Sequence, residues 1–111
     1  MDSILESVKK TLGIEPDDTA FNDELIIHIN SVFMILQQLG IGPAVGFSIS
    51  GSAETWSQFV PDASHTELVR SYMYSKVRLL FDPPQNSALL EAMKEQISEF
   101  EWRLAVKGET V

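Results

Sequence analysis

Residues 64–84 read SHTELVRSYMYSKVRLLFDPP and carry both a helix start and a helix stop. Ser64 and Glu67 stand at capping-box spacing, where the Ser hydroxyl accepts from the third helical amide and Glu reaches back to the cap amide. Ala63 before the cap and Leu68 after it suit a hydrophobic staple. Asp82-Pro83-Pro84 ends the helix, because proline lacks an amide donor and drives the residue before it out of the α region. Between these signals Val69, Tyr72, Met73, Lys76, Val77, Leu80 and Phe81 recur at i, i+3 and i+4. A second line, Leu68, Tyr72, Ser75 and Leu79, runs along a neighbouring face. A helix apolar over so much of its circumference has to be covered, by its own chain or by another copy. In so short a chain this raises self-assembly as an expectation.

The 111 residues fit one domain, 1–111, that buries roughly two-thirds of its unfolded surface. A hydrophobic content of 44% with 22% charged residues belongs to a folded chain. With no cysteine there is no disulfide, thiolate metal site or thiol nucleophile, which fits a reducing compartment. No run approaches the roughly 20 apolar residues of a membrane span, and no basic-then-apolar signal pattern opens the chain. A soluble protein, intracellular when made, is expected. Sixteen acids against eight bases give a net charge of −8, with seven acids and two lysines crowded into residues 1–24. Gripping nucleic acid requires phosphates to be neutralised by Lys and Arg, so tight DNA or RNA binding is disfavoured. An acidic surface can still line a path along which DNA slides.

Outward from the central helix, Asp2–Leu12 reads as a short amphipathic helix. Ser3 and Glu6 are at capping-box spacing, Ile4, Leu5, Val8 and Leu12 form one face, and Gly13 suits a left-handed cap. Residues 13–21 make an acidic loop, whose Asp pair lacks the ligand ladder of a calcium loop. Asn22–Leu39 reads as a long helix, with Asn22 as N-cap, Phe21 and Ile26 as staple partners and Gly40 as the stop. Its face is Leu25, Ile29, Val32, Phe33, Leu36 and Leu39, and Ile26, Ile27, Met34 and Ile35 spread the apolar surface beyond it. His28, beside that stripe, reads as a packed, hydrogen-bonded histidine, set against a metal or catalytic role.

Residues 41–62 change character. Gly40-Ile41-Gly42 and Gly46 do not match a dinucleotide fingerprint, and they follow a helix where that motif follows a strand. Val45, Phe47 and Ile49 alternate with small residues, which suggests an extended segment pairing with Ala53–Trp56 as a hairpin. Trp56 and Phe59 suit a short helical turn before Pro61. Two readings stand here: a long loop pinned to the core by its aromatics, or an interface loop whose Phe47, Ile49, Trp56 and Phe59 anchor a partner. Asn86 or Ser87 caps a last helix running to about Lys107, with Leu90, Met93, Ile97, Phe100 and Leu104 on one stripe and Glu99–Arg103 as an i, i+4 pair. Trp102 points away from that stripe and is read as a contact with another subunit or partner. Residues 108–111 are expected to form a free tail. The fold class expected is all-α: a small bundle of about four helices, one short and three longer, with a long loop or β-hairpin at 41–62.

Several pieces together resemble the small phage head–tail connector proteins, also called head-completion or adaptor proteins. They are HIN at 28–30, LGIG at 39–42, GF at 46–47, Trp56, Phe59, SYMYSKVRLLFDPP at 71–84 and QISEFEWRL at 96–104, in the same order over almost the whole chain. The resemblance implies a small helical bundle that assembles as a ring, commonly of twelve, beneath the portal of the DNA-filled head. Such a ring passes DNA through its lumen without specific binding and offers its far side to a head-completion, stopper or tail protein. The implied location is the head–tail interface of the virion, with assembly in the host cytoplasm. In that setting Arg70, Lys76 and Arg78 pair with acids of the neighbouring subunit or, equally, with acids of their own chain. Trp102, Arg103 and the residues after them are implied in portal contact.

An enzyme would need a nucleophile–base pair, a carboxylate dyad or metal ligands, and none is legible, so no catalytic, cofactor or metal site is expected. The rival reading is a small acidic helical regulator that binds one partner peptide in a groove. Assembly state separates the two.

Overall fold

The computed structural model describes residues 3–59 and 63–109, with side chains for all of these except 63–65 and 109. The bundle is all-α. Helix α1 spans Ile4–Leu12, α2 Asn22–Gln38, α3 the single turn Trp56–Phe59, α4 Ala63–Phe81 and α5 Ser87–Glu109. The capping box at Ser64 and the staple from Ala63 involve side chains outside the described residues.

Helix α4 is the axis of the fold, with α1, α2 and α5 all packed on it. Val69, Tyr72, Met73 and Val77 are fully buried and Ser75 nearly so. At about 100° per residue these positions sweep about 200° of the helix surface. Most of the apolar circumference read from the sequence is therefore covered by the chain's own helices, with Leu80 left exposed.

Helix α1 is too short to stand alone in water and is docked by its termini and one face. The Ser3 hydroxyl accepts from the Glu6 amide at 3.2 Å, and Gly13 closes the helix in the left-handed region at φ 79°. Ile4, Leu5 and Val8 are buried, and the Ile4 amide donates to the Glu54 carbonyl at 3.0 Å beside an isolated antiparallel bridge between Ser3 and Thr55. Helix α2 starts differently from the expectation. Phe21 occupies the N-cap position with no side-chain cap, and Asn22 lies inside the helix with its Oδ1 buried and unpartnered. Phe21 turns edge-on to Phe81, ring centroids 5.4 Å apart, a long-range aromatic pair that ties the start of α2 to the end of α4.

The hairpin expected at 41–62 is not formed among the described residues, which contain no sheet. The segment's backbone finds its partners in side chains. Asn30 of α2 donates from Nδ2 to the Ile49 carbonyl at 3.0 Å and accepts from the Ile49 amide at 2.8 Å, the two bonds a neighbouring strand would give. Gln37 donates to the Ala44 carbonyl at 3.1 Å, and Glu54 accepts from the Ser50 amide at 3.0 Å. At Gly42, φ is +91° and an added Cβ would fall 2.4 Å from the Phe59 ring, so the loop lies flat on that aromatic only because the position is glycine.

Helix α5 is capped as expected: Asn86 Oδ1 accepts from the amides of Ala88 at 2.8 Å and Leu89 at 3.1 Å. Its far end corrects the sequence reading. Gly108 and Glu109 are the last residues of the helix and not the start of a tail, while 110–111 lie outside the described residues. Gly108 meets the end of α2, where an added Cβ would stand 2.0 Å from the Leu39 carbonyl oxygen. A backbone-on-backbone crossing of this kind tolerates no side chain, which the composition of a four-residue terminus does not reveal. Between α4 and α5, the buried Tyr72 hydroxyl donates to Glu101 Oε2 at 2.8 Å, and Lys76 Nζ lies 3.6 Å from the same oxygen. Burial first, then the Glu101 carboxylate, raises the Tyr72 phenol well above its ordinary 10.0.

Three outcomes follow from this packing. Gly108→Ala should destabilise the chain by about 1–3 kcal/mol, because the helices must separate to admit the methyl group; denaturant titration measures it. Trp56→Ala should cost about 3–5 kcal/mol and lower the melting temperature of the isolated chain; an unchanged melting temperature would remove Trp56 from the core. The unfolded chain gives up its Tyr72 proton near pH 10.0 while the folded one still holds it, so stability should fall as pH rises above that value. Tyr72→Phe should flatten that fall in urea melts taken between neutral and alkaline pH.

Candidate interaction surface

The loop aromatics converge on α2. Phe33 packs against Phe59 at a centroid distance of 4.6 Å, Phe47 at 5.1 Å and Trp56 at 6.4 Å, and Phe47 meets Phe59 at 5.3 Å. Trp56 donates from Nε1 to the Ser7 hydroxyl at 2.8 Å, tying the loop to α1. Ile49, Trp56 and Phe59 are almost wholly covered by their own chain and Phe47 is half-buried. The structure thus gives the first three to the core, in line with the pinned-loop reading, and a role as partner anchors does not suit their side chains. At the loop's end Glu54 is a local clasp: burial pulls its carboxyl up, but amides of Glu54, Ser50 and Gly51 and the Ser50 hydroxyl outweigh it and leave the group below its usual range.

The four cations singled out in the sequence all have partners within the chain. Arg70 lies over the Trp56 ring, 5.6 Å from its centroid, at a small cleft lined by Ser7, Val8, Thr11, Trp56, Arg70 and Tyr74. Lys76 reaches Glu101, Arg78 Nη1 approaches the Tyr74 hydroxyl at 3.5 Å, and Arg103 pairs with Glu99 on the outer side of α5. Lys76 and Arg103 thus meet acids of their own chain, while Arg70 and Arg78 meet the aromatic residues Trp56 and Tyr74.

What the core leaves outside is specific. Trp102 is 68% exposed with Val106 beside it on the outer face of α5 at 40%, while Ile27 and Met34 are each 64% exposed on the outer face of α2. Leu89 in the first turn of α5, Leu80 near the end of α4 and Phe21 before α2 are exposed too, and Val45 projects from the loop at 95%. Alternation groups Val45 with Phe47 and Ile49, but without a strand the alternation has no face to define, and Val45 lies outside while Ile49 is buried. The exposed acids gather too. Residues 15–24 hold five exposed carboxylates, Glu15, Asp17, Asp18, Asp23 and Glu24, and no cation.

Two polar residues have surroundings that local sequence does not announce. Lys9 is fully buried, its ammonium donating to the Pro16 carbonyl at 3.2 Å. The signal was its place on the helical wheel next to Leu5 and Leu12, where a long aliphatic stem can be covered. His28 has Glu24 one turn before it and Nε2 lies 3.5 Å from that carboxylate, but this nitrogen is buried without a hydrogen bond, so the hydrogen-bonded histidine expected here is not met at Nε2. Among the described residues no group of three or more His, Cys, Asp or Glu is placed to hold a metal ion, and no helix is long and apolar enough to cross a membrane.

No match to the chain was found among curated proteins or among solved structures. A family model described as phage connector protein matches residues 4–111, which takes in every helix of the bundle. With a closed helical core, two helices that keep apolar residues on their outer faces and a match along nearly its full length, the chain belongs to the phage connector protein family, whose role is structural and whose place is at the virion head.

Proposed function

We propose that the chain is one subunit of a ring seated between the portal and the tail-completion proteins, with DNA passing through its lumen. The observation that carries this reading is the apolar surface left after the core has closed: Ile27 and Met34 on α2, Trp102 and Val106 on α5. A closed head-to-tail ring needs two different patches on each subunit, and a monomer whose interior is complete has no internal use for either. The remaining site residues take roles accordingly. Trp102 and Arg103 belong to a contact surface, while Phe47, Ile49, Trp56 and Phe59 hold the loop that presents Val45. Arg70, Lys76 and Arg78 brace the bundle around α4.

The charge supports a passage that does not grip. Five exposed carboxylates in residues 15–24, repeated around a lumen, add their fields and repel phosphate. Lys76, Lys94 and Arg103 are each held near a carboxylate of their own chain. The portal on one side and a head-completion, stopper or tail protein on the other are the partners, reached from the host cytoplasm during assembly.

Electron microscopy of the purified chain mixed with its portal tests the reading. Rings coaxial with the portal are expected, and those assemblies should not retard duplex DNA at about 0.15 M salt, since few phosphates can be neutralised. A chain that stays monomeric with the portal present would favour a regulator that binds one partner. Retardation at that salt would overturn the repelling lumen.

A further inference from the structure

Residues 25–53 contain no Asp, Glu, Lys or Arg, the longest such stretch in a chain whose net charge is −8. They fold into one continuous outer surface. Ile27, Ser31, Met34 and Gln38 recur at helical spacing and are all exposed, so they form a single stripe along α2. The loop after α2 runs back beside that stripe. Asn30 holds Ile49 and Gln37 holds Ala44, and Met34 stands between Asn30 and Gln37 on the same flank of the helix. Ala44 and Val45 at the loop's apex therefore adjoin the C-terminal half of the stripe, with Ile27 and Met34 each 64% exposed and Val45 95%. Polar groups here are already satisfied from within: the Ser31 hydroxyl donates to the Ile27 carbonyl at 3.0 Å, and Gln37 Nε2 to the Ala44 carbonyl at 3.1 Å. Asp23 and Glu24 border the surface at the start of α2, and Gly108 of α5 meets Gly40 at its other end.

We propose that this uncharged face, the outer stripe of α2 with the loop apex at Ala44 and Val45, is where a second copy of the chain docks. This docking rests on the ring reading and names one side of its subunit contact. Two copies of a chain at −8 repel each other, and the repulsion is least where the approaching surface brings no carboxylate. A partner of opposite charge would gain more from the exposed acids of residues 15–24, so a neutral apolar face selects a like-charged partner. The exposed surface of α5 around Trp102 is of another kind: Glu95, Glu99 and Arg103 stand on it, and Glu99 already takes Arg103. Ile27, Met34 and Val45 supply the apolar area whose removal from water drives the contact. Covering Ser31 and Gln37 leaves their hydrogen bonds as they are, so no donor is stranded. A ring contact joins two different faces, so the neighbour presents a surface other than residues 25–53.

The chain has no cysteine, so a thiol introduced at one position carries a label alone. Full-length Met34→Cys and Val45→Cys, each bearing a benzophenone maleimide, are assembled with portal and an excess of unlabelled chain. Rings that contain the label are isolated and irradiated. A covalent band of two chains is expected on denaturing gels, and peptide masses should place its far end on the second copy outside residues 25–53. Met34→Glu should weaken assembly on the order of tenfold and Met34→Lys distinctly less, because only the glutamate opposes a like-charged neighbour; the gap should narrow as salt rises. Circular dichroism melts of each variant separate lost contacts from lost folding, since both positions are exposed. Attachment to the portal, or to no other chain, in rings that micrographs show intact would overturn this docking face and leave the ring reading standing. Attachment to residues 25–53 of another copy would also overturn it, by showing a face that pairs with itself. Equal losses from Met34→Glu and Met34→Lys would do the same, by removing charge from the choice of face. No ring from the wild-type chain with portal would end both.

Discussion

A helix that is wrapped over more than half of its surface sets the terms for the rest of this bundle. Helix α4 buries Val69, Tyr72, Met73 and Val77, and it can do so only because α1, α2 and α5 approach it from three directions. That arrangement fixes where polar groups can go. The Tyr72 hydroxyl is buried and has to be satisfied, and Glu101 of α5 satisfies it at 2.8 Å while Lys76 steadies the carboxylate. An apolar contact of this size is non-directional; the tyrosine bond gives α5 a particular register against α4. The near-touching backbones at Gly108 and Leu39 fix the far end of α5 in the same way, by sterics alone.

The long connection between α2 and α4 shows how a segment without secondary structure can still be ordered. Its backbone groups are paired by Asn30, Gln37 and Glu54, and its aromatic residues enter a cluster around Phe33. Buried backbone must find partners, and side-chain amides and carboxylates serve when no strand is at hand. The consequence reaches the outside: with Phe47 and Ile49 drawn inward, Val45 is left at the apex. The loop thus commits Ile49, Trp56 and Phe59 to the core and leaves Val45 in solvent.

For a phage connector protein this division of labour is suited to assembly. A core that is complete within one chain lets the subunit fold before it meets a partner, and apolar residues kept on the outer faces of α2 and α5 remain available for later contacts. Of the acidic run in residues 15–24, Glu15, Asp17 and Asp18 lie before α2 and Asp23 and Glu24 in its first turn, all away from the aromatic loop in sequence.

Periodicity and punctuation were enough to place the helices. The capping residues of α1, the proline pair after α4 and the Asn86 cap of α5 are local signals whose physics acts within one turn, and the structure keeps each of those ends close to where the residues put it. The family likeness was also legible, because packing motifs are spread along almost the whole chain. Local reasoning failed wherever the partner was distant. Nothing near Phe21 announces Phe81, nothing near Asn30 announces Ile49, and the glycine at 108 looks like a tail until Leu39 is seen against it. Whether α4's apolar flanks would be covered from within or by a second copy also lay beyond the sequence, since hydrophobic surface carries no label for its cover. That choice was made by the crossing of α1, α2 and α5, which covers most of α4 and leaves exposed apolar residues on the outer faces of α2 and α5, with Leu80 at the end of the central helix.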